Sequence, residues 1–258
     1  MVKKTKKLSG QTSTTTVASG EQFVKVDANG KVTRIPLANL QTAILGGVST
    51  NAIEDGIFIM YHDKGNNYPY MVKPHKWPSL QTSGQIADGV VIVEGGRLLV
   101  VAPTQADSLL WSSAAVNGGG VTTTDRVTAY SDMAGKANTA SQIGKSTDAA
   151  VTNTAAYAPG FCNTYSRTNA NGYGLTASKW WLPSLGEMFM IYANMTKVNY
   201  ALSLIDGATQ LQEDWYWTST EYSADNAWRL HLGNGSMNIL RTKASNKARV
   251  RPVSAFIS

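Results

Sequence analysis

The sequence predicts an α+β protein in which mostly antiparallel strands are combined with two or three helices. Short apolar runs flank Gly-rich turns, as in GVVIVEGGRLLVV at 89–101, and this pattern is typical of β-hairpins. The segment SLGEMFMIYANM at 184–195 instead places its apolar residues at helical spacing. Ser184 and Glu187 have the spacing of a capping box, which predicts that this helix begins after Ser184.

The composition indicates a folded protein with many loops. Of the 258 residues, 43% are hydrophobic, only 16% are charged and 23 are glycine. The chain is therefore long enough for one large domain or two small ones with a substantial core. Its 7 Trp and 11 Tyr residues favour a binding protein, because these rings provide large and rigid contact areas.

The N-terminal segment is predicted to be an attachment and oligomerisation arm. A Ser/Thr-rich linker precedes two short β-runs around the turn Asp-Ala-Asn-Gly. Apolar residues then recur at helical spacing at Leu37, Leu40 and Ile44. These residues are too few to close a core alone. The boundary is predicted within 46–54, which gives an arm over 1–50 and one domain over 51–258.

Further elements are predicted within the larger domain. GIFIMYH at 56–62 has strong strand character. Residues 117–154 are predicted to be a long irregular insertion with one helix around Asp148–Tyr157. A second helix is expected to follow the capping-box helix and to end with Gly207 as its C-cap, and ARVRPVSAF is expected to be a final strand.

The segment DNAWRLHLGNGSMNIL at 225–240 predicts a hairpin with one buried face. The residues expected on the buried face are Trp228, Leu230, Leu232, Met237 and Ile239. Arg229 and His231 alternate with them and are expected on an outer, solvated face that makes no demand on the fold. We also expect Trp181, Trp217 and Trp228 to be core residues.

Four motifs in a fixed order carry a resemblance to a known family. KWWLPSLGEM, YWTSTEY, AWRLHLGNG and VRPVSAF resemble the C-type-lectin-like domain that formylglycine-generating-enzyme homologues share with variable proteins of diversity-generating retroelements. The resemblance covers roughly residues 56–258. The N-terminal segment resembles the attachment module at the start of bacteriophage fibre proteins, and the combination resembles the major tropism determinants of bacteriophages.

The resemblance implies a C-type-lectin-like fold and a role in host attachment. It implies a homotrimer in the virion fibre or tip, made in the host bacterial cytoplasm, with residues 1–50 contacting other virion structural proteins. In this family the last hairpin and its flanking loops bind the receptor, here a host cell-surface glycan or protein, and a retroelement can diversify them. The expected receptor-binding residues are Tyr222, Ser223, Asp225, Asn226, Arg229, His231, Asn234, Ser236, Asn238, Leu240, Arg241, Ser245 and Asn246.

Catalysis and metal binding are disfavoured. Formylglycine-generating enzymes bind copper with a pair of cysteines, whereas this chain has only Cys162, for which a buried thiol is predicted. The three histidines, His62, His75 and His231, lack metal-ligand spacing. The calcium-loop motifs of sugar-binding C-type lectins do not occur. We therefore expect no enzymatic activity, no cofactor and no metal, and a sulfatase-modifying-type enzyme is the less favoured alternative.

Basic residues near the two ends of the chain contribute to the net charge of +6. They suit either nucleic-acid binding or a solvated tail and loop, and we favour the second because no nucleic-acid motif accompanies them. The basic residues near the C-terminus are Arg241, Lys243, Lys247, Arg249 and Arg251. No apolar run indicates a signal peptide or a membrane-spanning helix, so membrane insertion is not expected.

The alternative to a receptor-binding protein is a structural virion decoration or fibre-connecting protein that does not bind a receptor.

Overall fold

The computed structural model describes residues 22–26, 32–36, 54–145, 153–239 and 241–255. The chain divides into two compact units, Met1–Val48 and Ser49–Ser258. In the first unit, β1 (Gln22–Val26) pairs antiparallel with β2 (Val32–Pro36), which confirms the predicted hairpin. The helical pattern at Leu37, Leu40 and Ile44 lies outside the described residues.

The second unit contains a five-stranded antiparallel sheet in the order β14-β6-β5-β3-β4. Its strands are β3 (Gly56–His62), β4 (Pro69–Val72), β5 (Ala87–Glu94), β6 (Arg97–Val101) and β14 (Val253–Ser254). The predicted hairpin is confirmed, with Gly95 and Gly96 at its turn in the left-handed region. The strands contain long apolar runs because both faces of the sheet are covered by core residues.

A second five-stranded sheet has the order β12-β11-β10-β13-β7, and β10 pairs with β13 in parallel. Its strands are β7 (Ala106–Leu110), β10 (Trp215–Glu221), β11 (Ala227–His231), β12 (Met237–Asn238) and β13 (Lys247–Val250). The prediction of one final strand is wrong, because β13 belongs to this sheet and β14 to the other. Pro252 lies between them and cannot donate a ladder hydrogen bond.

The described part of the larger unit also contains a two-stranded ribbon and six α-helices, twice the upper number expected. The ribbon pairs β8 (Arg167–Thr168) with β9 (Gly174–Leu175). The helices are α1 (Trp77–Thr82), α2 (Arg126–Ser131), α3 (Gly135–Gly144), α4 (Ala158–Thr164), α5 (Leu185–Ala193) and α6 (Met195–Ser203). The α+β class with mostly antiparallel strands is confirmed. No described helix has the length and apolar character that crossing a bilayer requires.

The insertion differs most from its prediction. It contains α2 and α3. The helix expected around Asp148–Tyr157 lies partly outside the described residues; 153–157 are not helical, and α4 begins at Ala158. Asp125 caps α2 by accepting a hydrogen bond from the backbone N–H of Thr128 at 2.7 Å. Because α3 buries polar side chains, Asn138 and Gln142 among them, its sequence lacks the apolar periodicity that indicates a helix.

The capping box of α5 is confirmed. The Ser184 hydroxyl accepts a hydrogen bond from the Glu187 N–H at 3.4 Å, and the Glu187 carboxylate accepts one from the Ser184 N–H at 2.9 Å. The second predicted helix is also present as α6, but Leu204 is its C-cap, so the assignment of Gly207 to that position is wrong.

The core contains the three predicted tryptophans. Trp181 and Trp228 lie in the largest apolar cluster with α5 and α6. Trp217 lies in a second cluster with Trp111 and Cys162. Cys162 is buried as expected, and burial raises the pKa of its thiol. Trp217 is the cross-strand neighbour of Arg229, so the second cluster borders the face of β11 that was expected to be solvated.

Glu187 is buried and has a shifted pKa. Burial is the main cause, and the nearby negative charge of Asp132 adds to it, so the pKa of Glu187 rises from 4.5 to about 7 despite hydrogen bonds from Ser184 and Trp181. A carboxyl whose folded pKa is raised binds its proton more tightly in the folded state. The protonated Glu187 carboxyl therefore favours the folded state at low pH. Its contribution to the free energy of unfolding falls as pH rises from about 4.5 to about 7.

We expect Glu187→Gln to remove this part of the pH dependence. In the wild type, the Glu187 contribution should lower the free energy of unfolding by roughly 1–3 kcal/mol between pH 5 and pH 8. The glutamine oxygen can still accept the Ser184 hydrogen bond, so α5 should keep its cap. Urea unfolding of both proteins at the two pH values measures the difference. Parallel pH profiles would contradict the assignment.

Candidate functional site

The β11–β12 hairpin has the predicted inner face. Trp228, Leu230 and Leu232 are buried in the largest apolar cluster, and Met237 and Ile239 are half-buried against it. The prediction for the outer face is wrong at Arg229, whose side chain is only 4% exposed. His231, further along the same strand face, is half-buried.

Arg229 is buried because aromatic residues of β10 lie on the same face. Trp217 is its cross-strand partner on one side, and Asn238 is its partner on the other. The guanidinium carbon lies 4.9 Å from the ring centroid of Trp215 and 5.2 Å from that of Trp217. These distances allow cation–π attraction, which is stronger when water is excluded.

A recess of about 380 Å³, which we call the arginine recess, opens beside this pair of rings. Its lining residues come from β7, the β10–β11 hairpin and the residue before it, β12, β13 and the loop between β12 and β13. They are Asp107, Ser108, Asp214, Trp215, Arg229, Asn238, Arg241, Asn246, Lys247, Ala248 and Arg249. Four are cationic and two are carboxylates, so the lining carries an excess of two positive charges.

The carboxylates of the arginine recess are already paired. Arg249 donates from Nε to Asp214 at 3.0 Å and from Nη1 to Asp107. No carboxylate of the described residues forms an ion pair with Arg229 or Arg241. Burial, and secondarily the positive charge of Arg241, lowers the pKa of Arg229 to about 10, so it remains cationic at neutral pH.

A second recess of about 340 Å³, the tyrosine recess, has a more apolar lining. It is lined by Thr124, Arg126, Tyr222, Trp228, Met237, Asn238 and Ile239. The Tyr222 ring meets the Trp228 ring edge-on at 5.4 Å. Asn238 lines both recesses, so β12 forms their common wall. One surface therefore combines a cationic depression with an aromatic one.

Five of the predicted binding residues line these recesses. They are Tyr222, Arg229, Asn238, Arg241 and Asn246. Several of the others hold loops in place through short-range hydrogen bonds. The Ser223 hydroxyl accepts from the N–H groups of Asp225 and Asn226, each at 3.2 Å. Asn234 accepts from the Ser236 N–H at 3.0 Å.

The remaining predicted residues have related local contacts. Ser245 forms a hydroxyl–hydroxyl hydrogen bond with Thr242, whose N–H also donates to the Asn246 side chain at 3.0 Å. His231 lies edge-on to Trp215, with ring centroids 5.1 Å apart, and accepts from the Gly233 N–H. Leu240 lies outside the described residues.

Several residues of the surface were not predicted from the sequence. Asp107 and Ser108 reach the arginine recess because β7 pairs with β13 in the sheet. Thr124 and Arg126 reach the tyrosine recess from the insertion. No local pattern indicates either contribution, since each depends on a contact between distant parts of the chain.

Behind this surface lies a buried ion pair between Lys243 and Glu221. Both side chains are fully buried and their charged atoms are 2.5 Å apart. Lys243 also donates to the carbonyls of Val116 and Ser223 at 2.9 Å, and Glu221 accepts from the N–H of Gly118 at 2.8 Å. The pair thus joins the insertion to the loops that carry the candidate site.

The expectation of a solvated basic loop is therefore wrong at two positions. Lys243 is one, and Arg251 is the other. Arg251 donates to the carbonyl of Ala102 at 2.9 Å and to the side chain of Gln105 at 2.8 Å. Burial lowers the pKa of Arg251 to about 10. The sequence analysis misassigned both residues because the spacing of basic residues along the chain does not show which distant segments will bury them.

The described residues contain no group of three His, Cys, Asp or Glu side chains that could hold a metal ion. His62 forms a 2.6 Å contact with Asp88. The pKa of Asp88 is raised, mainly by burial, although His62 opposes the shift. This pair bridges β3 and β5, and we assign it a structural role.

No family model matches the chain, and no curated protein matches it either. Among solved structures, a fimbrial protein from Bacteroides ovatus is similar over 61% of this chain, with 17% sequence identity and a TM-score of 0.40. The similarity spans 35% of that protein's chain.

Proposed function

We propose that the protein is a bacteriophage fibre or tip protein whose C-terminal domain binds a receptor on the host cell surface. The observation that carries the proposal is the pair of recesses that share Asn238. Adjacent cationic and aromatic depressions offer a ligand both charge and apolar contact, as binding sites generally do. The loops around them are held by local hydrogen bonds and by the buried Lys243–Glu221 pair, so the surface is preorganised.

The finer assignments belong to the same proposal. A C-type-lectin-like fold is supported by the four sequence motifs, three of which contribute residues to β10, β11 and β13 of the second sheet. In this proposal residues 1–50 form the homotrimer and attach it to other virion proteins, and the exposed loop residues are open to retroelement diversification. The protein acts by binding and not by catalysis.

We expect a double substitution at the two recesses to abolish receptor binding without unfolding the domain. Arg241 is exposed and Tyr222 is half-buried at the surface, and interface anchors of this kind contribute roughly 2 kcal/mol or more to affinity. Each of the substitutions Tyr222→Ala and Arg241→Ala should therefore weaken binding at least about tenfold, and the double variant combines both losses. Flow cytometry of the labelled full chain on intact cells of a panel of bacterial strains measures the loss.

The matched control is Tyr200→Ala with Lys197→Ala. Both residues are exposed on α6 and line neither recess. The control has the same change in charge and ring area, so it should bind the same strains as the wild type. Equal binding by the site variant, or equal loss in both variants, would argue against the proposed surface.

A structural virion protein is the second candidate, and one observation favours it. Val127 and Tyr130 on α2 are 71% and 54% exposed, beside a groove of about 370 Å³ that Phe189 also lines. Exposed apolar side chains of this size often mark contacts with a neighbouring protein. The groove shares no lining residue with either recess, although α2 also contributes Arg126 to the tyrosine recess, so the two functions are compatible.

A further inference from the structure

The guanidinium of Arg229 has a buried donor without an acceptor. The residue is 96% buried, and its buried Nε atom has no hydrogen-bond partner among the described residues. Its guanidinium lies over the faces of Trp215 and Trp217, and the Asp214 carboxylate, which is paired with Arg249, attracts it without forming an ion pair with it. A buried guanidinium without an anion or acceptor costs free energy, because the rings replace only part of its hydration.

The residues around Arg229 add further positive charge that no free carboxylate in the described part of the chain offsets. Arg249 occupies the two carboxylates of the arginine recess, and Arg241 and Lys247 are exposed at its edge. A negatively charged group entering the recess would therefore approach three cations that no described carboxylate pairs with. Arg229 is the innermost of these, because it alone is buried.

We propose that the arginine recess binds an anionic oxygen group, a carboxylate or a phosphate, carried by a sugar of a surface glycan. The inference rests on the proposed function, since it names the ligand class of the same surface. A guanidinium presents a planar fork of donors that matches such oxygens. In this arrangement the buried cation provides the attraction, and Arg241 and Lys247 raise the association rate.

The neutral lining of the recess suits the rest of a sugar. Ser108 provides a hydroxyl, and Asn246 keeps its side-chain N–H groups available because its oxygen accepts from Thr242. The half-buried ring of Trp215 adds an aromatic surface. At about 380 Å³ the recess lies at the lower end of the range for small-ligand sites.

The experiment titrates the purified full chain with three probes: glucuronate, inorganic phosphate and glucose. Indole N–H signals of the protein with ¹⁵N-labelled tryptophan provide the measurement, with Trp215 assigned through Trp215→Phe. Trp77, which is buried in α1 outside the recess, is the internal control. Glucuronate or phosphate should shift the Trp215 signal saturably, with a Kd on the order of millimolar for so small a probe, and glucose should not.

Two variants separate binding from folding. Arg229→Gln should weaken anion binding at least tenfold and leave the melting temperature unchanged or higher, because it removes a buried unpaired charge. Arg241→Ala with Lys247→Ala should weaken binding less and reduce its dependence on salt. A stronger response to glucuronate than to phosphate would identify a sugar acid, and the reverse would identify a phosphorylated glycan.

Three results would overturn the inference. They are an equal response to glucose, unchanged anion binding by Arg229→Gln, and a fall of more than about 5 °C in its melting temperature, which would make Arg229 a structural residue. The test is independent of the cell-binding assay. Loss of cell binding in the Tyr222/Arg241 variant without any anion response would leave the proposed function intact and remove only its ligand class.

Discussion

Replacing Lys243 with methionine should destabilise the domain by about 3–5 kcal/mol, because it leaves the Glu221 carboxylate buried without its cation. Lys243 is fully buried, 2.5 Å from Glu221, and its ammonium also donates to two backbone carbonyls. Those carbonyls would lose their partner at the same time. Equilibrium unfolding in urea measures the change.

The double variant Lys243→Met with Glu221→Gln is the matched control. The glutamine keeps an oxygen that can accept from the Gly118 N–H, and no uncompensated charge remains in the core. It should therefore recover much of the stability lost in the single variant. If the single variant is as stable as the wild type, the Lys243–Glu221 pair does not contribute to stability in the way that its burial indicates.

Truncation of Trp217 to alanine should also cost about 3–5 kcal/mol, as expected for a large aromatic side chain removed from a packed core. Trp217 is fully buried in the second apolar cluster, and its indole N–H donates to the Leu109 carbonyl at 2.9 Å. It also contacts Arg229, which would lose one of its two aromatic partners. Thermal and urea unfolding both report the effect.

Two controls define this result. Trp217→Phe keeps most of the ring area and loses the hydrogen bond, so its cost should be clearly smaller. Tyr200→Ala removes an exposed ring of α6 and should change stability by no more than about 0.5 kcal/mol. A Trp217→Ala protein with an unchanged melting temperature would show that the second cluster contributes little to stability.

Much of the fold could be predicted from local patterns. The hairpin of β5 and β6 and the capping box of α5 were each evident in a few adjacent residues. The helix α3 was missed because it buries polar side chains, including Asn138, which bonds to Asp132 at 2.8 Å. A helix of this kind lacks the apolar periodicity on which sequence analysis depends.

The candidate site was harder to predict for a different reason. Alternation in β11 correctly separated Arg229 from Trp228, but it could not show that Trp215 and Trp217 would cover the Arg229 side. Likewise, Asp107 joins the recess through the pairing of β7 with β13, more than a hundred residues apart in the chain. Such contacts depend on the order of the strands in the sheet, which the spacing of residues along the chain does not predict.

The division of the last strands between the two sheets has a consequence for biosynthesis. β13 lies between β10 and β7, and β14 pairs with β6, so residues 247–254 complete both sheets. Until the ribosome has delivered this segment, β7 and β10 have no β13 between them and β6 keeps an open edge. The domain therefore completes its folding after these residues emerge, at a rate set by long-range strand pairing. Until then the edge of β6 that β14 will cover stays unpaired, and an unpaired strand edge is a site where chains can aggregate.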